Sequence, residues 1–274
     1  MKNIVWLTAL GLLTIAGCST SRKKGSADNR VAYSFSAAEL RGKLDSALLG
    51  DTKSRLSSFF CVWHESSVPD DSSRVGSNDT VAAVYSIFRC FYKPFNLLKL
   101  GQWEWGNRLN EGARYIEVQG SIGYVVLPVD SVAQMNGFTN LKERTIVLDD
   151  FRPQVDVPDS MVLYMNSAYD SALNYFLGTA STTVGRGNIM NPSSPEGASE
   201  RRYQLLRPWL PILHGHWGGY WHLETHPEVN LVLLNRSLNL AMVEFRVGYQ
   251  GGECILDKKG TRWVIRQSST TWIE

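Results

Sequence analysis

Apolar residues recur at a spacing of three or four in several segments of the N-terminal half, which predicts amphipathic helices. Ser36 and Glu39 form a capping-box pattern that opens a helix running to about Leu49. Residues 79–92 place their apolar side chains at helical spacing, and Pro94 follows. Because proline cannot continue a helix, this second helix is expected to end before it, with Asp79 and Thr80 as candidate N-caps.

Strand-like and helical patterns alternate in the middle of the chain. Residues 115–128 alternate apolar and polar side chains, which predicts one strand, and a short strand is expected at residues 145–148. Residues 159–177 look helical, and Gly178 is a stop signal. Another helix is expected over residues 194–207, with a proline at its first position.

The C-terminal part contains five strand-like runs, at residues 217–225, 229–234, 238–249, 253–258 and 261–272. Turn signals separate them at Pro227, Asn235–Arg236, Gly251–Gly252 and Lys259–Gly260. Such short connections force neighbouring strands to be antiparallel. The predicted class is α+β: N-terminal helices with a short sheet, then helices packed on a curved antiparallel β-meander.

Helices followed by a long curved meander resemble the nuclear transport factor two-like (cystatin-like α+β) superfamily. The runs at residues 241–247, 249–253 and 260–265 are similar to its last three strands, and the resemblance covers residues 157–274. That superfamily includes enzymes, ligand binders and adaptors, so the resemblance implies a fold but no particular activity.

The first eighteen residues have the pattern of a secretion signal. Lys2 precedes an apolar run of 13 residues, Ile4–Ala16, and small residues lead to Cys18. A membrane-spanning helix needs about 20 residues, so this run is too short to span permanently. Residues 15–18 resemble the bacterial lipobox. This resemblance implies cleavage after residue 17 and attachment of acyl chains such as palmitate to Cys18. The alternative is an ordinary signal peptide with a coincidental cysteine.

This pattern divides the chain into a signal peptide (1–17), a lipidated flexible tether (18–32) and a globular α+β region (33–274). The tether is polar and basic. Ser19 follows the cysteine, and no acidic run resembling a surface-export signal is present. We therefore expect a cell-envelope protein on the outer membrane, facing the periplasm, with the membrane as partner through its lipid anchor.

The composition indicates an ordinary globular protein and argues against nucleic-acid binding. Apolar residues make up 43% and charged residues 20% of the chain, as in ordinary globular proteins. Removing Lys2 from 28 basic residues leaves 27 against 26 acidic ones, and no basic stripe appears, so no nucleic-acid partner is expected. For the cysteines at positions 61, 90 and 254, both a disulfide and buried thiols stay open.

Four of the five histidines lie within thirteen residues, together with a tyrosine and a glutamate: His214, His216, Tyr220, His222, Glu224 and His226. On a strand the even positions from 216 to 226 would share one face. A zinc ion could be bound by His214 and His216, or by His222, Glu224 and His226. However, residues 222 and 226 would be ~13 Å apart on one strand. The histidines could equally belong to a polar binding surface with Tyr220 or to a structural face.

Glu244 and Arg246 lie two residues apart on one predicted strand, where they could face the concave side of the sheet. With no complete catalytic set, the leading hypothesis is a lipoprotein without enzymatic activity that binds an envelope protein or a small-molecule ligand through this face. The alternative is a metal-dependent hydrolase at residues 214–226. A third is an envelope-assembly component without a pocket. Apart from that zinc ion, no cofactor is expected.

Overall fold

The structure is a computed structural model, and it describes residues 35–70, 76, 78–101, 106–135, 141–157, 161–178, 196–214, 220–223 and 225–273. Cys18 and the predicted tether lie outside these ranges. Residues Tyr33–Glu274 form one compact unit. Since the buried clusters of the described residues all lie in this unit, a chain beginning at Tyr33 is expected to fold without the preceding residues.

The helices are α1 (Ala37–Leu48), α2 (Thr52–Ser66), α3 (Asp79–Phe91), α4 (Val132–Met135), α5 (Leu141–Arg144), α6 (Ser167–Leu177) and α7 (Glu196–Leu206). Two 3-10 helices cover Leu97–Leu100 and Gly106–Asn110. The capping box of α1 is confirmed, because the side chains of Ser36 and Glu39 each accept a backbone N–H of the other. In α3 the N-cap is Asn78, one residue earlier than expected, and its side chain accepts the N–H groups of Thr80 and Val81.

The strands are β1 (Tyr115–Val118), β2 (Ser121–Leu127), β3 (Ile146–Asp149), β4 (Met161–Tyr164), β5 (Leu213–His214), β6 (Tyr220–His222), β7 (Glu228–Asn235), β8 (Leu240–Val247), β9 (Gln250–Lys259) and β10 (Arg262–Ile273). A six-stranded, curved sheet has the order β10-β9-β8-β7-β2-β3. Strands β7 to β10 form the predicted antiparallel meander, so the α+β class is confirmed.

The long-range pairings were not predicted. Strand β2 joins the meander by pairing parallel with β7, and β3 pairs antiparallel with β2. Strands β1 and β4 form a separate two-stranded parallel sheet. Strand β10 lies at one edge of the large sheet, and register shifts at Arg266 and Thr271 interrupt its pairing with β9.

The single strand expected at residues 115–128 is wrong, because β1 and β2 belong to different sheets. Gly120 lies between them, where the chain passes close to residue 165. A Cβ atom at Gly120 would lie 1.5 Å from the carbonyl oxygen of Met165. Only a residue without a side chain allows this approach.

The helix expected over residues 159–177 is also wrong in its first part. Residues 161–164 form β4, and α6 starts only after Asn166, whose side chain accepts the N–H groups of Ala168 and Tyr169. A short apolar run does not distinguish a strand from a buried helix, and here the pairing with β1 decides. The stop at Gly178 is confirmed, since this residue caps α6 with a φ of 82°.

The turn predicted at Gly251–Gly252 lies elsewhere. Val247 pairs with Gln250, so the β8–β9 turn consists of Gly248 and Tyr249. Gly248 has a φ of 63°, which suits a two-residue hairpin turn. Gly251 and Gly252 are instead part of β9.

The face of the meander that packs against α3, here called the covered face, forms the largest buried cluster. Its members include Val243 and Phe245 of β8 and Leu256 of β9. The Phe245 ring meets the ring of Phe91 at 5.0 Å. Cys254 also points into this cluster, and burial raises the pKa of its thiol to about 12. All three cysteines in the described part of the chain are free.

A second cluster joins α1, α2, α6 and α7 to β1 and β4. Its centre is a stack of aromatic rings. The ring centres of Trp209 and Phe60 are 5.3 Å apart, and those of Phe60 and Trp63 are 6.2 Å apart. Trp63 in turn stacks on Tyr169 at 4.0 Å. This continuous stack of rings accounts for several of the aromatic residues that the composition shows.

A buried ion pair fastens the segment after α2 to the loop after β3. The Asp70 side chain is 1% exposed and accepts hydrogen bonds from the backbone N–H and the Nη2 of Arg152, both at 3.1 Å. The hydroxyl of Tyr85 also donates to it. Burial, and then the nearby Asp70 carboxylate, raise the pKa of Tyr164. Asp70 is thus a carboxylate surrounded by donors.

Candidate functional site

The histidine-rich segment does not form one long strand. Strand β6 covers Tyr220–His222 alone and pairs with β5, where His214 lies opposite Tyr220. Strand β7 begins later, at Glu228. The expected alternation fails because the consecutive residues Thr225 and His226 are both buried.

Hydrogen bonds hold the end of this segment in the interior. The backbones of Thr225 and Glu117 are bonded at 2.9 Å, and the Thr225 hydroxyl accepts the Glu117 N–H at 2.9 Å. The side chain of Asn110 donates to the His226 carbonyl at 2.9 Å, and the Tyr92 hydroxyl donates to that of Thr225 at 3.2 Å. His226 is therefore an interior residue, 2% exposed.

The zinc hypothesis stays a prediction. Residues 216 and 224, and the side chains at 214, 220 and 222, lie outside what the structure describes. Within the described residues no group of three metal-ligating side chains occurs. Tyr220 lies on the small β5–β6 sheet, so its strand is not part of the sheet that carries Glu244 and Arg246.

The better-defined candidate site is on the meander, on the side opposite the covered face. Glu244 of β8 lies directly opposite Glu253 of β9, and Arg246 lies opposite Glu228 of β7. Directly opposite residues of antiparallel strands project to the same side. Together with Trp272 of β10, these four residues are named the polar face.

Trp272 lies against the backbone of β9. Its indole occupies the place of a side chain at Gly251, because a Cβ atom there would lie 1.9 Å from the ring. The guanidinium carbon of Arg246 is 5.7 Å from the centre of the same ring, within the range of a cation–π contact. The Nε of Arg246 donates to the carbonyl of Gly248 at 2.5 Å. The aromatic ring, itself 39% exposed, and the arginine thus form the end of the polar face next to the β8–β9 turn.

The two carboxylates at the centre of the polar face oppose each other. Burial raises the pKa of Glu244, and the charge of Glu253 raises it further. Like charges directly opposite on neighbouring strands destabilise a sheet. The pair therefore costs folding free energy when both groups are ionised.

The rest of this side of the sheet is used for packing and for an ion pair. Toward β2, a third buried cluster lies beneath α4, with Met242 and Leu233 among its members. On the outer strands, Nε of Arg266 donates to Asp257 at 2.7 Å, and this bond, followed by the positive charge of Arg266, lowers the pKa of that carboxyl. The polar face is bounded by these two regions.

The sequence identified two of the five polar-face residues, Glu244 and Arg246. It missed Glu228, Glu253 and Trp272. The missing signal was the position of the β8–β9 turn, because a turn at Gly248–Tyr249 places Glu253 opposite Glu244. A turn at Gly251–Gly252 does not.

Comparisons with protein-family models, with curated proteins and with solved structures find no match for this chain. Among the described residues, no helix combines the length and the apolar character needed to cross a bilayer.

Proposed function

We propose that this chain is a lipid-anchored envelope protein that has no catalytic role and binds a cationic group of a partner through its polar face. Three glutamates and one arginine give this face an excess of negative charge. A lysine or arginine side chain of an envelope protein, or an amine-bearing ligand, matches that charge.

The observation that carries the proposal is the Glu244–Glu253 pair. A like-charge pair lowers stability in the free protein, and a cation placed between the two carboxylates relieves the repulsion. The free energy recovered in this way would add to the affinity for a cation. The indole of Trp272 offers a second cation-binding surface beside it.

The anchor and the family resemblance belong to the same proposal. Lipidation at Cys18 would hold the domain on the outer membrane, facing the periplasm, and residues 19–29 would let it stand away from the bilayer. The curved antiparallel meander supports the proposed likeness of residues 157–274 to the nuclear transport factor two-like superfamily, in which such sheets serve binders as well as enzymes.

The binding proposal is tested on residues 33–274 labelled with ¹⁵N, using tri-lysine and tri-glutamate peptides as probes. Tri-lysine is expected to shift the amide signals of β8, β9 and β10, and tri-glutamate is not. The double variant Glu244→Gln/Glu253→Gln should abolish the effect. Glu65→Gln/Glu143→Gln, which changes the net charge equally at exposed positions outside the polar face, should retain it.

Shifts that map away from the polar face, or equal shifts with both peptides, contradict the binding proposal. The anchor is tested separately by growing cells with labelled palmitate. The full chain should incorporate the label, and Cys18→Ser should not. Secretion of an unlabelled protein would instead identify an ordinary signal peptide.

A further inference from the structure

A cavity of about 340 Å³ lies between the second 3-10 helix and the segment that follows α7. This volume is within the range of small-molecule sites. The described residues that line this cavity lie outside the meander strands, so the cavity is separate from the polar face. Four of its lining residues, here together called the floor, have apolar side chains: Leu109, Ala113, Leu210 and Ile212.

The lining also includes two arginines, Arg108 and Arg207, both exposed, together with one exposed carboxylate, Glu111, and the half-buried Tyr203. Within the described part of the chain, the side chains of Arg108, Arg207 and Glu111 make no hydrogen bond and no ion pair. The two guanidinium groups are thus free to bind an anion.

The neighbouring Arg114 differs from Arg108 and Arg207, because its guanidinium group is already in contact with an aromatic ring. Its guanidinium carbon lies 4.6 Å from the centre of the Trp209 ring, so it takes part in the packing of the helical cluster. Among the residues that the structure describes, Arg108 and Arg207 have no such contact. They combine an apolar floor with donors that match a carboxylate or a phosphate.

The floor is held in place before any ligand binds. Leu210 donates its N–H to the Leu206 carbonyl at 3.2 Å and is 1% exposed. Trp209 beside it belongs to the aromatic stack, 5.3 Å from Phe60. Because the floor is already ordered, less conformational entropy is lost when a ligand binds.

We propose that this cavity binds a small organic anion, with its carboxylate or phosphate group between Arg108 and Arg207 and a short apolar group on the floor. Glu111 at the same site opposes the anion and weakens binding. Removing the charge of Glu111 should therefore strengthen anion binding, whereas removing the charge of either arginine should weaken it. The proposal does not depend on the polar face or on the lipid anchor.

Calorimetric titration of residues 33–274 with octanoate, octyl phosphate, octanol and octylammonium tests it. Octanoate or octyl phosphate should bind at least about tenfold more tightly than octanol, since hydrogen bonds between charged groups are stronger than those to a neutral hydroxyl. The stronger of the two anions identifies the head group. Octylammonium should bind most weakly.

Each of Arg108→Gln and Arg207→Gln should weaken binding of the anion about tenfold. Glu111→Gln should tighten it about threefold, and Lys259→Gln, an exposed cation on β9, should change nothing. Ala113→Leu, which fills the floor, should weaken all four probes alike. Urea unfolding of each variant confirms that it is folded.

Three results would overturn the proposal. They are no binding of either anion up to about 10 mM, equal affinity for octanoate and octanol, and an Arg108→Gln/Arg207→Gln double variant within about twofold of the parent chain.

Discussion

The covered face and the polar face are built from alternating residues of the same strands. On β8, Phe245 points into the interior against α3, and its neighbours Glu244 and Arg246 point to the other side. The covered face gains free energy from apolar burial. The polar face keeps two opposed carboxylates. The covered face therefore provides the stability that allows the polar face to keep an unfavourable like-charge arrangement.

The largest effect is expected on the covered face. Phe245→Ala removes a fully buried ring that contacts Phe91, and it should lower the free energy of unfolding by ~3–5 kcal/mol. Urea denaturation of residues 33–274 measures this change. Gln267→Ala, an exposed position on β10, is the control and should stay within ~0.5 kcal/mol of the parent. A loss below ~1 kcal/mol for Phe245→Ala would mean that the covered face is not the main source of stability.

The second-largest loss of stability is expected at Asp70, a carboxylate that, unlike Glu244, is paired with hydrogen-bond donors. Asp70→Ala should lower the free energy of unfolding by ~2–4 kcal/mol, because it leaves the guanidinium of Arg152 and the hydroxyl of Tyr85 without this acceptor. Asp150→Asn removes the charge of the exposed partner of the same arginine and should cost less than ~1 kcal/mol, since asparagine tolerates the φ of 55° at this position. Equal losses in the two variants would show that burial of the Asp70 pair is unimportant.

Substitutions at two neighbouring glycines of β9 compare the two faces, because Gly252 lies on the covered face and Gly251 on the side of the polar face. Gly252→Ala should cost ~1–3 kcal/mol, because the new methyl group would lie 2.3 Å from the backbone oxygen of Ser269. Gly251→Ala meets the indole of Trp272, which is partly exposed and can turn away, so the cost should stay below ~1 kcal/mol. The indole N–H signal of Trp272, assigned with Trp272→Phe, should move in Gly251→Ala. An unmoved signal would contradict the packing of this ring.

The smallest effect has the opposite sign. Because the pKa of Glu244 is raised on folding, the folded protein binds its proton more readily than the unfolded chain does. The stability that this proton provides is present at low pH and is lost as pH rises through the carboxyl range. Glu244→Gln should therefore stabilise the protein by ~0.5–1 kcal/mol at pH 8, and the gain should vanish below about pH 4.

Urea unfolding at several pH values tests this prediction, with Glu143→Gln on α5 as the exposed control that should show no such pH dependence. Adding tri-lysine at pH 8 should remove most of the difference between Glu244→Gln and the parent chain. A Glu244→Gln variant that is less stable at pH 8 would show that the carboxylate is favourably paired.

Local signals in the sequence predicted local structure well. The capping box at Ser36, the stop at Gly178 and the strands of the meander depend on neighbouring residues, and all three are present. The parallel pairing of β2 with β7 joins residues about a hundred positions apart, and no local pattern encodes it. The sequence predicts helix where β4 lies, because a four-residue apolar run has no distinct period.

The candidate site was predicted in part for a related reason. Glu244 and Arg246 lie on one strand, and their spacing alone places them on one side. Glu253 comes from the next strand, so finding it required the register, which the position of the turn sets. The glycines at 251 and 252 resembled a turn, but they are small because Trp272 and the Ser269 backbone pack against them.

The two register shifts in β10 have a consequence for encounters between copies of the protein. No strand among the described residues pairs with the outer side of β10, and an unpaired edge of twelve residues is a template for polymerisation through strand addition. The bulges at Arg266 and Thr271 bend the strand and divide that row into short pieces. A second copy that approaches this edge would find no straight strand to extend, which disfavours polymerisation through strand addition.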